Sequence, residues 1–332
     1  MAQNIVITGA AGFIGSSFAN NANKNKEYNL TLIDSLEFGN IENLDEELRD
    51  NLIVTDCLNI NFLRNIIPKE AIVFHFAGIS SLPECESNYI SSINNIFNST
   101  VNVYEVGISM GMKKFVFAST SAVYENNKKF PFNEDEDVDP DLMYSYSKKI
   151  CENYLRFRSL KLDSVDTFVL RFFNVFGYNQ DTLRKNPPLT AYLIKCIKDN
   201  VNAVIYNDNP SIKRDYIFIN DLIEILYGTI KIDCSDKFQV VNVTSGNSYS
   251  VDDIIRILKM ITNKDLSFTY LKPQNIWSKY PDVLNKITTE RISREVYKTS
   301  LGDNKKVMKY LNESHSFITM EEGLKLMIES QI

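Results

Sequence analysis

The sequence predicts an α/β fold: a doubly wound parallel sheet with a smaller, mixed lobe towards the C-terminus. Two observations predict the sheet. Short apolar runs alternate with helix-length segments through the first half of the chain, which calls for parallel strands joined by helical crossovers. The runs also lack polar alternation, as strands covered on both faces must. A third observation predicts the lobe, because beyond Gly177 the texture turns polar and less regular.

In order, strands are expected at residues 5–8, 30–33, 53–55, 72–76, 115–118 and 167–171, with helices at 13–21, 93–111 and 145–160. Residues 178–188 are polar and end in Pro187-Pro188, which reads as an ordered loop or lobe boundary. An amphipathic segment at 189–198 and a strand-like run at 203–206 follow, then a buried strand at 240–244. Ser250 caps a helix expected to reach 261, and the charged tail from Leu271 holds one good helix pattern at 303–311. We therefore expect a dinucleotide-binding domain at 1–176 and a lobe at 177–332 that mainly binds substrate, with about 214–250 returning to the first domain.

Composition excludes several functions. The chain has 332 residues, with 36 Lys and Arg against 42 Asp and Glu, a net charge of −6. With no basic run, a nucleic-acid surface is not expected. No apolar stretch approaches the ~18 residues of a membrane span. The first strand runs straight into a glycine loop without the basic start or cleavage site of a signal peptide, so a cytoplasmic protein is expected. Two distant histidines, His75 and His315, speak against a zinc site, and no metal is expected. The five cysteines include no Cys-x-x-Cys pair and read as small buried apolar groups in a reducing compartment.

The first strand feeds Gly9-Ala10-Ala11-Gly12-Phe13-Ile14-Gly15, and a helix begins near Phe13. Gly9 allows the tight turn, Gly12 lets backbone approach a pyrophosphate, and Gly15 lets helix pack on strand. The phosphates would sit on the helix N-terminus, where free N–H groups and the dipole favour negative charge. Asp34 ends the second strand 19 residues after Gly15, placed to accept hydrogen bonds from an adenosine ribose. A carboxylate there repels a 2′-phosphate and no arginine follows it at once, so NAD is favoured over NADP. Asp56, past the third strand, could reach the adenine amine or be a solvated strand-end acid. The sheet is thus expected to be a Rossmann sheet.

With these residues, and with His75-Phe76-Ala77-Gly78, Ser119–Tyr124, Tyr144–Lys148, Arg171–Gly177 and Arg214–Asp221, the chain resembles the extended short-chain dehydrogenase/reductase family of nucleotide-sugar epimerases and dehydratases. The resemblance implies a Tyr-x-x-x-Lys pair, and three occur: Tyr124/Lys128, Tyr144/Lys148 and Tyr227/Lys231. The pair must share a helix face. Tyr124 closes a strand before Asn126-Asn127, and Tyr227 precedes Gly228, where a helix should end. Tyr144/Lys148 opens a long helical pattern and matches the family position. A free phenol, with a pKa of ~10, is a poor base, but the Lys148 ammonium and a positive nicotinamide ring would both favour phenolate. Thr120 resembles the family's Ser/Thr partner, with Ser119 as the alternative.

The resemblance further implies a cofactor site of Gly9, Gly12, Phe13, Ile14, Gly15, Asp34, Asp56, Ala77, Tyr144 and Lys148, and a substrate site of Ser81, Thr120, Asn174, Arg214 and Arg294. Asn174 and Arg214 match the family's diphosphate-binding Asn and Arg. For the second arginine Arg291 competes with Arg294, because the family's Arg-x-Gly-Asp/Glu pattern is broken. Asn95 stands one residue off the family's helix Asn, which speaks against a cofactor contact. His75 matches a strand-end histidine read as structural. Dehydratases carry Asp-Glu after the Thr, whereas Ser121 and Ala122 stand here and can be neither acid nor base. A small residue at Thr299 or Ser300 would leave room for an N-acetyl group.

The expectation is an NAD-dependent nucleotide-sugar 4-epimerase acting on a UDP-hexose or UDP-N-acetylhexosamine, and a homodimer through the helices at 93–111 and 145–160. The competing readings are a dehydratase or 4-keto-reductase of the same family, and a non-catalytic NAD-sensing protein.

Overall fold

A computed structural model describes residues 2–330 apart from 163, 183, 208, 210, 235, 265, 278, 285 and 313. Its strands are β1 (Gln3–Thr8), β2 (Tyr28–Asp34), β3 (Leu52–Val54), β4 (Ile72–His75), β5 (Lys114–Thr120), β6 (Asp166–Phe172), β7 (Asn174–Phe176), β8 (Ala203–Ile205), β9 (Lys213–Phe218), β10 (Phe238–Val243), β11 (Ser248–Ser250) and β12 (Phe268–Tyr270). The first-half helices are α1 (Phe13–Asn23), α2 (Glu46–Arg49), α3 (Ile60–Ile66), α4 (Leu82–Ser87), α5 (Tyr89–Ser92), α6 (Ser99–Ser109) and α7 (Met143–Ser159). Beyond them come α8 (Leu189–Asp199), α9 (Ile219–Lys231), α10 (Val251–Thr262), α11 (Gln274–Trp277), α12 (Pro281–Leu284), α13 (Thr289–Val296) and α14 (Met320–Glu329).

Seven strands form one sheet in the order β10-β6-β5-β4-β1-β2-β3, each neighbouring pair parallel. Successive side chains enter opposite cores, as the pleat dictates. Ile5 and Ile7 of β1 pack with Phe18 of α1 and Leu222 and Leu226 of α9. Val6 between them joins Leu63 of α3, Val103 of α6 and Leu155 of α7 on the other face. The sheet is thus doubly wound, and its order reverses between β1 and β4, where ligand crevices form in such sheets. A three-stranded sheet β11-β9-β7 and a two-stranded sheet β12-β8 carry the substrate-side segments. β10 lies after the lobe begins in sequence but pairs with β6 in the main sheet.

Three elements differ from the sequence reading. The helix expected at 303–311 is a single 3-10 turn, Val307–Tyr310. Asp303 instead accepts a hydrogen bond from the Lys305 N–H at 2.9 Å, a local turn that competes with helix. Helix α9 does not stop at Gly228 but continues to Lys231. A Cβ on Gly228 would stand 2.1 Å from the Tyr310 carbonyl oxygen, so this glycine is there for close packing and does not end the helix. The helix at 93–111 opens with a π-helical stretch, Ile93–Asn98, before α6.

Candidate active site

A cavity of about 510 Å³ opens at the C-terminal ends of β1, β2, β4 and β5, where the strand order reverses. The glycine loop forms one wall. Gly9 has φ +70°, and a Cβ on it would lie 2.7 Å from the Ala77 nitrogen. On Gly15 a Cβ would be 2.0 Å from the Gly9 oxygen, so no side chain is tolerated there. Gly12 is the N-cap of α1 without a capping side chain, and a Cβ on it would meet only the Gly9 oxygen within 4 Å. Backbone at the start of α1 therefore faces the cavity, as a pyrophosphate cradle requires.

Asp34 is buried at the end of β2 and lines the same cavity. Its Oδ2 accepts from the Ala11 N–H at 2.9 Å and its Oδ1 from the Leu36 N–H at 2.8 Å. Each oxygen keeps a lone pair for a ribose hydroxyl. Asp56 is exposed at the cavity, its Oδ1 accepting from the Leu58 N–H at 2.8 Å. Phe13, Ile14 and Ala77 also line the wall. The residues present fit a dinucleotide on geometry alone.

Thr120, Tyr144 and Lys148 line this cavity together. Thr120 ends β5, while Tyr144 and Lys148 occupy successive turns of α7. The Thr120 hydroxyl stands beside the Tyr144 phenol and favours its ionised form. Lys148 Nζ donates to the Ala118 carbonyl at 2.7 Å and lies 4.8 Å from the centre of the Phe117 ring. Ser119 is committed elsewhere, donating to Glu152 Oε1 at 2.5 Å. Burial pushes the Tyr144 phenol up to about 12, against the Thr120 hydroxyl and the Arg184 charge, which both lower it. The lowering expected from Lys148 is not found: besides burial, the groups acting on the phenol are Thr120, Cys85 and Arg184, and burial holds Lys148 itself below the ordinary lysine range.

The other Tyr-x-x-x-Lys tyrosines lie outside the cavity lining. Tyr124 Oη contacts the Asn133 carbonyl, Asn242 Oδ1 and Arg171 Nη1. Tyr227 donates to Asn21 Oδ1 at 2.8 Å and packs against Phe18 of α1 and Tyr28 of β2. His75 bridges Thr8 Oγ1 at 2.7 Å and Thr100 Oγ1 at 3.1 Å, and burial lowers its pKa to about 3.

On the substrate side, Asn174 lines the cavity and its Nδ2 donates to the Asp215 carbonyl at 2.7 Å. Ser81, Arg214 and Arg294 are outside the lining residues. Ser81 is the buried N-cap of α4, next to Ser80, which does line it. Arg214 Nη2 donates to the Glu295 carbonyl at 2.6 Å, and Arg294 Nη2 binds Asp141 Oδ2 at 2.6 Å. The competing Arg291 is bound by Asp141 and Glu125.

Two further residues come to the cavity. Asn95 lines it and accepts from the Ile79 N–H at 2.8 Å. Its one-residue displacement is accommodated by the π-helical stretch, whose wider turn takes an extra residue. Arg184 is the arginine among the lining residues, its Nη1 3.4 Å from Ser80 Oγ and its Nε donating to the Asn186 carbonyl. It stands in the polar stretch read only as a loop. A lone arginine at a lobe boundary was the available signal.

Both the crevice and the phenol–ammonium pair beside it are those of a dinucleotide-dependent enzyme of the extended short-chain dehydrogenase type. More closely, the chain belongs to the NAD dependent epimerase/dehydratase family, which matches residues 5–243, and NAD is its cofactor. A UDP-N-acetyl-alpha-D-glucosaminuronate decarboxylase of Bacillus cytotoxicus is 24% identical over 342 aligned positions, covering 99% of this chain and 98% of its own. The solved UDP-N-acetylglucosamine 4-epimerase from Methanobrevibacter ruminantium M1, in complex with UDP-N-acetylmuramic acid, is 26% identical with a TM-score of 0.84, covering 100% and 99%. The UDP-glucose 4-epimerase of Thermotoga maritima with UDP-glucose is 25% identical with a TM-score of 0.83, covering 98% of each chain.

Proposed function

We propose that the chain is an NAD-dependent UDP-sugar 4-epimerase acting on a UDP-hexose or UDP-N-acetylhexosamine. The observation that carries this reading is that Thr120, Tyr144 and Lys148 share one cavity with the glycine loop and Asp34. Gly9, Gly12, Phe13, Ile14 and Gly15 would hold the pyrophosphate, Asp34 the ribose and Asp56 the adenine, with Ala77, Tyr144 and Lys148 completing the cofactor site. When bound, NAD would supply reversible hydride acceptance for C4 and, in its oxidised form, a positive charge.

Tyr144 Oη takes the proton of the sugar C4 hydroxyl and later gives it back. The hydroxyl of Thr120, which lines the same cavity beside that phenol, would bond the same sugar oxygen. Asn174 and Arg214 would hold the diphosphate while the keto sugar turns over. Arg214 and Arg294 reach it only by leaving Glu295 and Asp141. Ser121 and Ala122 supply neither acid nor base, which disfavours dehydration. Arg184 favours one second reading: a cavity guanidinium suits a sugar carboxylate, and C4 oxidation of a sugar acid could be followed by loss of CO2.

The test is incubation with UDP-, dTDP- and GDP-sugars without added NAD, resolving products by NMR. A C4-epimer mixture is expected, with Tyr144→Phe lowering kcat by about 10²–10⁴. NAD consumed in step with substrate, a 4-keto-6-deoxy product, or an unaltered Tyr144→Phe would overturn it. Pentose and CO2 would establish the second reading.

The same reading makes the protein a cytoplasmic homodimer. Its five cysteines are free and buried, and no helix among the described residues is long and apolar enough to cross a membrane. Tyr146 and Phe157 of α7 and Ile90 of α5 are exposed large apolar groups that a second copy would cover. Light scattering on a Phe157→Glu variant checks it, with monomer the expected outcome.

A further inference from the structure

Helix α7 carries Tyr144 in its first turn but has no cap of its own, since its N-cap is Leu142. Two buried glutamates from elsewhere supply the missing acceptors. Glu86 Oε1 accepts from the Met143 N–H at 2.5 Å. Glu125 Oε1 accepts from the Asp141 N–H at 2.5 Å and the Leu142 N–H at 2.9 Å. The helix dipole favours a carboxylate there, but the Glu125 side chain is fully buried, and a buried charge needs a partner.

That partner comes from the C-terminal lobe. Arg291 of α13 places Nη2 at 2.8 Å from Glu125 Oε2 and Nε at 2.6 Å from Asp141 Oδ1. Arg294, one turn on, binds the other oxygen of Asp141 at 2.6 Å. Arg214 of β9 in turn donates to the Glu295 carbonyl near the end of α13. One short lobe helix is thereby fastened to the residues just before Tyr144.

We propose that Arg291 is a positioning residue for Tyr144: by neutralising Glu125, it makes the docking of α13 and the seating of the first turn of α7 one event. The inference rests on the reading of Tyr144 as the proton-transferring group. Losing Arg291 leaves an uncompensated buried carboxylate that must take up a proton or draw in water, and either weakens its hold on the Asp141 and Leu142 amides. Changing Glu125 to Gln removes the charge while keeping a carbonyl acceptor for those amides, so it relieves the loss of Arg291.

The test is a double-mutant cycle of Arg291→Gln and Glu125→Gln, read by kcat, KM and hydrogen exchange of the 141–143 amides. For Arg291→Gln a fall in kcat of about tenfold is expected with KM within about twofold, together with faster exchange at those amides. The double variant should recover most of both. A raised KM with kcat intact, additive losses, or unchanged exchange overturns the proposal. Exchange is measured without substrate, so failure to find an epimerase substrate leaves it decisive and sinks only the proposed reaction. If Arg291→Gln does not fold, Arg291→Lys serves, because it keeps the charge: native-like exchange with near-native kcat supports the proposal, and native-like exchange with reduced kcat, or a raised KM, overturns it.

Discussion

Lys148 Nζ is bound to the Ala118 carbonyl at 2.7 Å, two residues before Thr120 on the same strand. The ammonium is thus fastened to the strand that ends in Thr120. Gly78 adjoins them, where a Cβ would sit 3.8 Å from Nζ. The ends of β4 and β5 and the second turn of α7 therefore set one charge in one place.

Lys148→Met should separate catalysis from stability. Burial already holds this lysine below its ordinary range, so replacing it by an apolar side chain of similar length removes a desolvated cation. We expect kcat to fall by about 10²–10⁴ while Tm stays level or rises. The check is kinetics with thermal unfolding on one preparation. A Tm loss of many degrees would assign the lysine a structural role instead.

Arg184→Gln should raise the pH at which the enzyme becomes active. The Arg184 charge lowers the Tyr144 phenol, so without it the proton is held more tightly and the acid limb of log kcat/KM moves to higher pH. A sugar carrying a carboxylate should lose more than a neutral one. Profiles on a neutral and an acidic UDP-sugar test both, and an unmoved limb would remove Arg184 from the phenol's surroundings.

The cofactor half was legible because its chemistry is written in backbone. The closest approaches at Gly9 and Gly15 exclude any side chain, and Asp34 must end β2 to reach the loop, so position in sequence and position in space coincide. The phenol was legible for a partly different reason than the one given. Tyr227 and Lys231 do share a helix, and what separates them from Tyr144 is that α9 faces away from the cavity lining. Asn95 was set aside because it stands one residue off the family's helix Asn, yet it lines the cavity from within the π-helical stretch. Glu86 and Glu125 were invisible because their partners are far away in sequence: Glu86 meets the Met143 N–H across 57 residues. Contacts of that reach follow from packing and leave no local pattern.

Asp215→Asn should remove a loss of stability that the native chain suffers as pH rises from about 5 to 7. Asp215 is buried beside the site, its carbonyl holding Asn174 and its Oδ2 accepting from Thr244 Oγ1 at 2.5 Å and the Gly302 N–H at 3.1 Å. Burial raises its pKa to about 7 from an ordinary 3.8. Between those values the folded chain keeps a proton that the unfolded chain has released. This contribution is therefore fully present below 3.8 and is lost as pH rises towards 7, by roughly 2–3 kcal/mol between pH 5 and 8. His75 acts oppositely: its folded pKa of about 3 lies below an ordinary 6.5, so acid costs stability across that interval. Subtracting the Asp215→Asn profile from that of the native chain cancels His75, because both proteins contain it. The difference should fall steadily from pH 5 to 7 and then level, measured by urea unfolding at each pH. Parallel profiles would mean that Asp215 is ionised in the fold throughout, and that its neighbours outweigh its burial.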